Sequence, residues 1–65
     1  MKVREFLDAL AYDESRINLI YVYVNNVWVQ TITADEWRTH NYKGYDESII
    51  MTFYIHDYSM TIKLK

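Results

Sequence analysis

The chain has 65 residues, 51% of them hydrophobic and 17% aromatic, and this length predicts a single domain, residues 1–65. Nine acidic and seven basic residues give a formal net charge of −2, and the basic residues are scattered, so we expect no direct nucleic-acid binding. The absence of cysteine excludes disulfides and thiolate metal sites, and two histidines without a metal-binding spacing predict no metal or other cofactor.

Targeting signals are also missing from the sequence. The segment MKVREFLDAL places charges within an apolar run and has no cleavage-site pattern, so we expect no signal peptide. No apolar run reaches the roughly 18 residues of a membrane span, and we expect a cytoplasmic protein without membrane contact. A domain this short has little core, which makes a homo-oligomer the natural further support; the alternative is a well-packed monomer.

The first predicted element is a helix over residues 2–11. Val3, Phe6, Leu7 and Leu10 follow the i, i+3, i+4, i+7 spacing of one helix face. The polar segment YDES that follows is typical of a turn.

Residues 16–33 contain the densest β-branched and aromatic run. Asn25-Asn26 divides this run, and because asparagine tolerates positive φ, the pair predicts the tight turn of a β-hairpin. Regular alternation from that turn gives the hairpin two faces. One face would contain Ile20, Val22, Val24, Val27 and Val29. The other would contain Leu19, Tyr21, Tyr23, Trp28, Gln30 and Ile32.

A short helix at about residues 34–39 is expected next, because Thr33 and Glu36 have the spacing of a capping box. Residues 48–65 then predict a second hairpin that turns at His56-Asp57, or through the four-residue loop HDYS, which gives the same two faces. Its apolar face would contain Ile49, Met51, Phe53, Ile55, Tyr58, Met60, Ile62 and Leu64. Its mostly polar face would contain Ile50, Thr52, Tyr54, Ser59, Thr61 and Lys63.

These elements predict an α+β fold in the order α-β-β-α-β-β. Two β-hairpins would form a four-stranded antiparallel sheet, with the N-terminal helix packed on one face and a short helix connecting the hairpins. The other face of the sheet would stay partly open. The strand order between the hairpins does not follow from the sequence.

The aromatic side chains give the strongest functional signal. Tyr and Trp offer rigid area with a polar tip and are enriched at protein interfaces. We predict a partner-binding surface formed by Tyr21, Tyr23, Trp28 and Tyr54, with Trp37 at its rim. This face would meet a second copy of the chain or a foreign protein such as a host protein. Alternatively, it is half-buried beneath residues 34–48, with Trp37 as a lid.

Acidic residues recur in pairs, at Asp13-Glu14, Asp35-Glu36 and Asp46-Glu47. Turns and helix starts favour such residues for local reasons. The functional alternative is an acidic surface of Asp35, Glu36, Asp46 and Glu47 that imitates nucleic-acid phosphates and binds a basic site on another protein.

No constellation of residues points to an enzyme. His40, Asp46 and Ser48 could be written as a triad, but a triad is defined by geometry and these residues share one loop. We therefore predict a small non-enzymatic protein-interaction module that self-associates through its aromatic sheet face. The alternative is an inhibitor that binds a host or nucleic-acid-processing protein partly through the acidic turns.

The segment MKVREFLDAL, followed by YDESRINLIYVYV, resembles the start of many short proteins of phages, plasmids and other mobile elements. The resemblance covers roughly the first third of the chain. It implies a bacterial or phage accessory protein that acts by binding a host protein, and it implies no particular site residues.

Overall fold

The computed structural model describes residues 1–10 and 16–65. Within these ranges the chain forms two helices and four strands: α1 Val3–Ala9, β1 Leu19–Val24, β2 Val27–Thr33, α2 Ala34–Arg38, β3 Ile50–His56 and β4 Ser59–Leu64. The predicted α+β class is confirmed. The predicted turn at YDES and the acidic pair Asp13-Glu14 lie outside the described residues.

The sheet is mixed, which corrects the predicted all-antiparallel arrangement. Its strand order is β2-β1-β4-β3, and each sequence-adjacent pair, β1 with β2 and β3 with β4, is antiparallel. The two central strands, β1 and β4, run parallel. The local turns set the pairing within each hairpin, whereas residues 34–49 set the direction of one hairpin relative to the other. This connecting segment runs from the end of β2, on one edge of the sheet, to the start of β3, on the other edge and at the opposite end of the strands. The strands β2 and β3 therefore begin at the same end of the sheet.

Both hairpin turns use left-handed backbone conformations. Asn25 and Asn26 have φ values of 53° and 63°, as a type I′ turn requires. The second turn lies at Asp57 and Tyr58, one residue later than predicted, because His56 pairs with Ser59. The shift leaves the alternation of the flanking strand residues unchanged.

A β-bulge in β2 changes the predicted faces of the first hairpin. The pairing shifts between Val22 and Tyr23, so that Val29 is an extra residue on β2. Beyond the bulge, Gln30 lies opposite Val22, and Ile32 is fully buried opposite Ile20. Gln30 and Ile32 therefore lie on the face opposite to the predicted one.

A second bulge corrects the start of β3. Ile50 pairs with Leu64 and Thr52 pairs with Lys63, which leaves Met51 as the extra residue. Ile50 therefore takes the apolar face and Met51 is 67% exposed. The core-side apolar residues that flank each bulge are an odd number of positions apart, five for Val27 and Ile32 in β2 and three for Ile50 and Phe53 in β3, which a period of two cannot place on one face. The bulge lets the second one join the core side.

Both helices pack on one face of the sheet. Trp37 of α2 donates a hydrogen bond from Nε1 to the carbonyl oxygen of Leu7 in α1, at 3.0 Å. The buried core consists of Val3, Leu7, Ile17, Ile20, Val22, Ile32, Trp37, Tyr42, Met60, Ile62 and Leu64. Among the helices of residues 1–10 and 16–65, none is long and apolar enough to span a bilayer.

The start of β3 is tied to both ends of the described chain. The Ile50 backbone N–H donates to the Met1 carbonyl at 2.8 Å, and Lys65 donates to the Ile49 carbonyl at 3.0 Å. The Val3 N–H donates to Ser48 O at 2.9 Å. These bonds hold α1 beside the first residues of β3.

Candidate protein-binding surface

The sheet face opposite the helices, called the open face below, carries most of the predicted site residues. Strand registers place its side chains in rows across the strands, because directly opposed residues share a face. The rows are Trp28, Tyr23, Lys63 and Thr52; Thr31, Tyr21, Thr61 and Tyr54; and Thr33, Leu19, Ser59 and His56. Tyr21, Tyr23, Trp28 and Tyr54 therefore lie on one surface, as predicted.

Trp28 and Tyr54 are the large side chains of the open face that solvent reaches most. Trp28 is 56% exposed and Tyr54 is 52% exposed, whereas Tyr21 and Tyr23 between them are half-buried. Trp28 lies on the edge strand β2 and Tyr54 on the edge strand β3. The two accessible rings thus stand on opposite sides of the open face.

The bulge in β2 positions the Trp28 indole. Trp28 Nε1 donates a hydrogen bond to Thr31 Oγ1 at 2.9 Å. In a regular strand, residues three positions apart point to opposite faces. The extra residue Val29 brings Thr31 to the same face as Trp28. The ring is therefore held in place by its own strand.

Lys63 supplies the charge of this surface. Its Nζ lies 5.9 Å from the centroid of the Tyr54 ring and 3.4 Å from Asn26 Oδ1. The first distance is within the range of a cation–π contact. Among the described residues of the open face, Lys63 is the sole Lys, Arg, Asp or Glu. One cation is not the positive groove that single-stranded nucleic acid requires.

Trp37 is placed differently from the prediction. It is 2% exposed and belongs to the core on the helix side of the sheet, so it forms neither a rim nor a lid of the open face. Tyr42 and Tyr45 of the same segment also pack into or against that core. The physical reason is that α1 offers the indole a backbone acceptor and an apolar surface.

The acidic residues at the start of α2 are engaged within the chain. Asp35 Oδ1 accepts from Arg38 Nη2 at 2.8 Å. Glu36 pairs with Lys43, and its Oε1 also accepts from the Thr33 backbone N–H at 2.9 Å. These bonds, that of Lys43 above all, lower the pKa of Glu36 below its usual value. The expected capping box is confirmed.

Asp46 and Glu47 lie elsewhere, beside the start of α1. Glu47 pairs with Lys2 at 2.7 Å and with Arg4 at 3.3 Å, and the hydrogen bond from Lys2 is the main reason that its pKa is lowered. The Asp46 carbonyl accepts from the Arg4 N–H at 2.9 Å. The four acidic residues therefore form two separate groups. Asp35 and Glu36 lie at α2 beside Arg38 and Lys43, and Asp46 and Glu47 lie at the start of α1 beside Lys2 and Arg4.

A cluster of Asp8, His40 and Tyr42 was not anticipated from the sequence. The Tyr42 hydroxyl donates to Asp8 Oδ1, and His40 Nδ1 lies 3.0 Å from the same oxygen. These hydrogen bonds, Tyr42's first, lower the pKa of Asp8, while burial and the bond to Asp8 raise the pKa of Tyr42. The tyrosine is held protonated, and its hydrogen bond links α1 to the loop that follows α2. The group Asp8, His40 and Tyr42 is called the clasp below.

Metal ligands do not gather in the described part of the chain, where no group of three or more His, Cys, Asp or Glu side chains could hold an ion. Comparison with protein-family models, curated proteins and solved structures gives no match for this chain. The function is therefore argued from the surfaces described above.

Proposed function

We propose that this chain is a small non-enzymatic protein-interaction module that self-associates through its open face. The observation that carries the proposal is the exposure of Trp28 and Tyr54 on a sheet face opposite the helices. Trp and Tyr are the side chains that most often dominate binding energy at interfaces. Ring planes held by a rigid sheet lose little conformational entropy on binding.

The low charge of the open face is compatible with a second copy of the chain. The face carries Lys63 without a carboxylate among its described residues, so its aromatic area can be covered without burying an acid. Lys63 lies over the Tyr54 ring of its own chain and can stack on a ring of the second copy in the same way.

The alternative, an inhibitor that acts through acidic turns, has less support. Asp35, Glu36 and Glu47 are paired with cations of their own chain, and the two acidic regions are separate. A phosphate mimic needs uncompensated charge arranged along one surface. The resemblance to mobile-element accessory proteins and the cytoplasmic location stay predictions.

The first test is the solution mass by light scattering across a dilution series, with tryptophan fluorescence followed in parallel. Trp37 is buried in the core and Trp28 is exposed on the open face, so a change of emission on dilution reports mainly on Trp28. We expect an oligomer whose dissociation shifts this emission to longer wavelength. A monomer at every concentration would contradict the proposal.

The matching variant is Trp28→Ala. As an exposed aromatic contact of the open face, its loss should weaken association by about 30-fold or more, the effect of a residue worth roughly 2 kcal/mol. The Tm at low concentration should change little, since more than half of the side chain is solvent-exposed. Val29→Ala on the same strand is the control and should leave association unchanged. Equal effects of the two variants would count against the open face.

A further inference from the structure

The outer edge of β3 is unprotected beyond its first residue. β3 lies at one end of the sheet order, so one side of its backbone pairs with β4, and the other side bonds to Met1 at Ile50 and faces outward after it. Edge strands normally carry a charged side chain or a proline that prevents pairing with another chain. β3, with the sequence IMTFYIH, has no Lys, Arg, Asp, Glu or Pro. Its bulge lies near the start, and pairing is regular from Thr52 to His56.

The other edge strand, β2, is better protected. Its bulge at Val29 interrupts the middle of the strand. The Thr31 backbone N–H donates to the side chain of its neighbour, to Gln30 Oε1, at 3.1 Å, so that donor is occupied. The two edges of the sheet therefore differ, and β3 is the one that can accept a further strand.

Exposed apolar side chains accompany the free backbone of β3. Phe53 and Ile55 point to the helix side, yet they are 45% and 56% exposed because α1 covers only the beginning of the strand. The Phe6 ring contacts the Phe53 ring with 4.7 Å between centroids, and Ile55 lies beyond this contact. Tyr54 is exposed on the opposite face.

The hairpin turn determines which residues of β3 offer backbone groups outward. The pair that flanks a two-residue turn is hydrogen-bonded, and bonded and non-bonded pairs alternate from there. Here the flanking pair is His56 with Ser59, and Ser59 Oγ also donates to the His56 carbonyl across the turn, at 2.9 Å. The alternation then points the N–H and C=O groups of Phe53 and Ile55 away from β4.

We propose that a second copy of this chain binds at this edge, with its β3 antiparallel to the first and a two-fold axis at Tyr54. This register pairs Phe53 with Ile55 of the second copy, and Ile55 with Phe53, through about four backbone hydrogen bonds. Apolar side chains then meet apolar side chains, and no like charges are opposed. The contact uses a different surface from the open-face proposal and shares only Tyr54 with it.

A groove and an exposed ring support the same axis. A groove of about 400 Å³ lies at the start of β3, lined by Met1, Phe6, Ile50, Met51, Thr52 and Phe53. Tyr58, at the hairpin turn, is 61% exposed. Ile50 stands four positions before Tyr54 and Tyr58 four positions after it. The axis pairs His56 of the second copy with Thr52, so the turn of the second copy, which carries Tyr58, lies toward the groove, and the two-fold repeats this contact on the other side.

Cysteine cross-linking tests the axis directly, because the natural chain has no cysteine. In Tyr54→Cys the two thiols would stand on a non-hydrogen-bonded pair with Cα atoms about 4.5 Å apart, which a disulfide can bridge. We expect a covalent dimer under mild oxidation. Val27→Cys is the control, with similar exposure on the other edge strand and outside both proposed contacts. Absence of a covalent dimer at position 54, or equal cross-linking at positions 27 and 54, would overturn the edge contact.

A pair of lysine substitutions tests the edge without new covalent chemistry. Ile55→Lys and Val27→Lys change residues of similar exposure, 56% and 60%, on the two edge strands. We expect Ile55→Lys to raise the dimer Kd at least 100-fold and Val27→Lys to leave it within a few-fold of the natural value. Circular dichroism of both variants at low concentration would verify that they fold. An unchanged Kd in folded Ile55→Lys would overturn the proposal, whereas the Trp28→Ala result tests only the open face.

Discussion

At the scale of single residues, the two tryptophans have opposite environments. Trp37 is buried, and its indole N–H bonds to Leu7 O, whereas Trp28 is exposed and its indole N–H bonds to Thr31 of its own strand. Their sequence contexts, NNVWVQ and ADEWRT, predict a strand and a helix but not the depth of either ring. Depth is decided by α1, which packs over one face of the sheet and leaves the other to solvent.

The clasp of Asp8, Tyr42 and His40 makes stability depend on pH at both extremes. The pKa of Asp8 lies below its ordinary 3.8 in the folded chain, so its stabilising effect is present above that pH and is lost as the pH falls. The pKa of Tyr42 lies above its ordinary 10.0, so its effect is present below pH 10.0 and is lost as the pH rises.

Tyr42→Phe should reveal this dependence. The variant keeps the buried ring and removes the hydroxyl, so we expect a loss of about 1 kcal/mol in the free energy of unfolding near neutral pH. The difference from the natural chain should shrink below about pH 4 and above about pH 10. Urea unfolding across the pH range measures it. Tyr58→Phe, at an exposed position, is the control; a constant difference for Tyr42→Phe would show that the clasp does not titrate with folding.

At the scale of elements, the five-residue helix α2 depends on its N-cap. Thr33 Oγ1 accepts from the Glu36 N–H at 3.2 Å, and Glu36 Oε1 accepts from the Thr33 N–H at 2.9 Å. Thr33→Val keeps the β-branched shape for the end of β2 and removes the hydroxyl. We expect it to cost about 1 kcal/mol of stability. Thr33→Ser retains the cap and should stay close to the natural chain in the same urea titration; the reverse order would show that strand shape matters more than capping.

The local signals in this sequence were sufficient for most elements. Helical spacing predicts α1, the capping box predicts α2, and the paired asparagines predict the first turn. Each of these rests on contacts between residues close in the chain. The second turn lies one residue after its predicted place. Asp57 adopts a positive φ of 54° there, a conformation that aspartate accepts more readily than most residues.

The bulges and the parallel central pair could not be derived in the same way. Strict alternation from the turn places Ile32 on the face of Tyr21 and Tyr23, whereas the bulge at Val29 places it opposite Ile20, where it is fully buried. Burial of this apolar side chain favours the bulged register. The parallel pairing of β1 with β4 depends on the path of residues 34–49 over the core. Such long-range packing leaves no local pattern in the sequence.

The candidate surface was predictable only where it depends on local alternation along a strand. Alternation places Tyr21, Tyr23, Trp28 and Tyr54 on one face and does not depend on strand order. The sequence does not fix the side on which Trp37 lies, because a short connecting helix can fold over either face of a sheet. The clasp at Asp8 joins residues more than 30 positions apart, at separations of 32 and 34, and no spacing rule connects them.

At the scale of the whole molecule, the chain has little stability to spare. Its accessible surface is 4371 Å², close to the roughly 4,400 Å² expected of a monomer of this mass. The structure therefore buries what a small monomer buries and no more, without disulfides to restrict the unfolded state. Pairing at the β3 edge would remove Phe53 and Ile55 from water and add stability that a monomer lacks.

This coupling predicts a Tm that depends on protein concentration. A partner that binds only the folded state, at 100 times its Kd, adds about 2.7 kcal/mol. For a domain this small, each kcal/mol is worth about 4–8 °C, so the Tm should rise by roughly 10 °C or more between dilute and concentrated samples. Ile55→Lys should abolish the rise, because a charge on the edge prevents strand pairing. Val27→Lys should preserve it, because β2 is the other edge. Calorimetry over a concentration series distinguishes the cases: equal slopes for the two lysine variants would contradict pairing at the β3 edge.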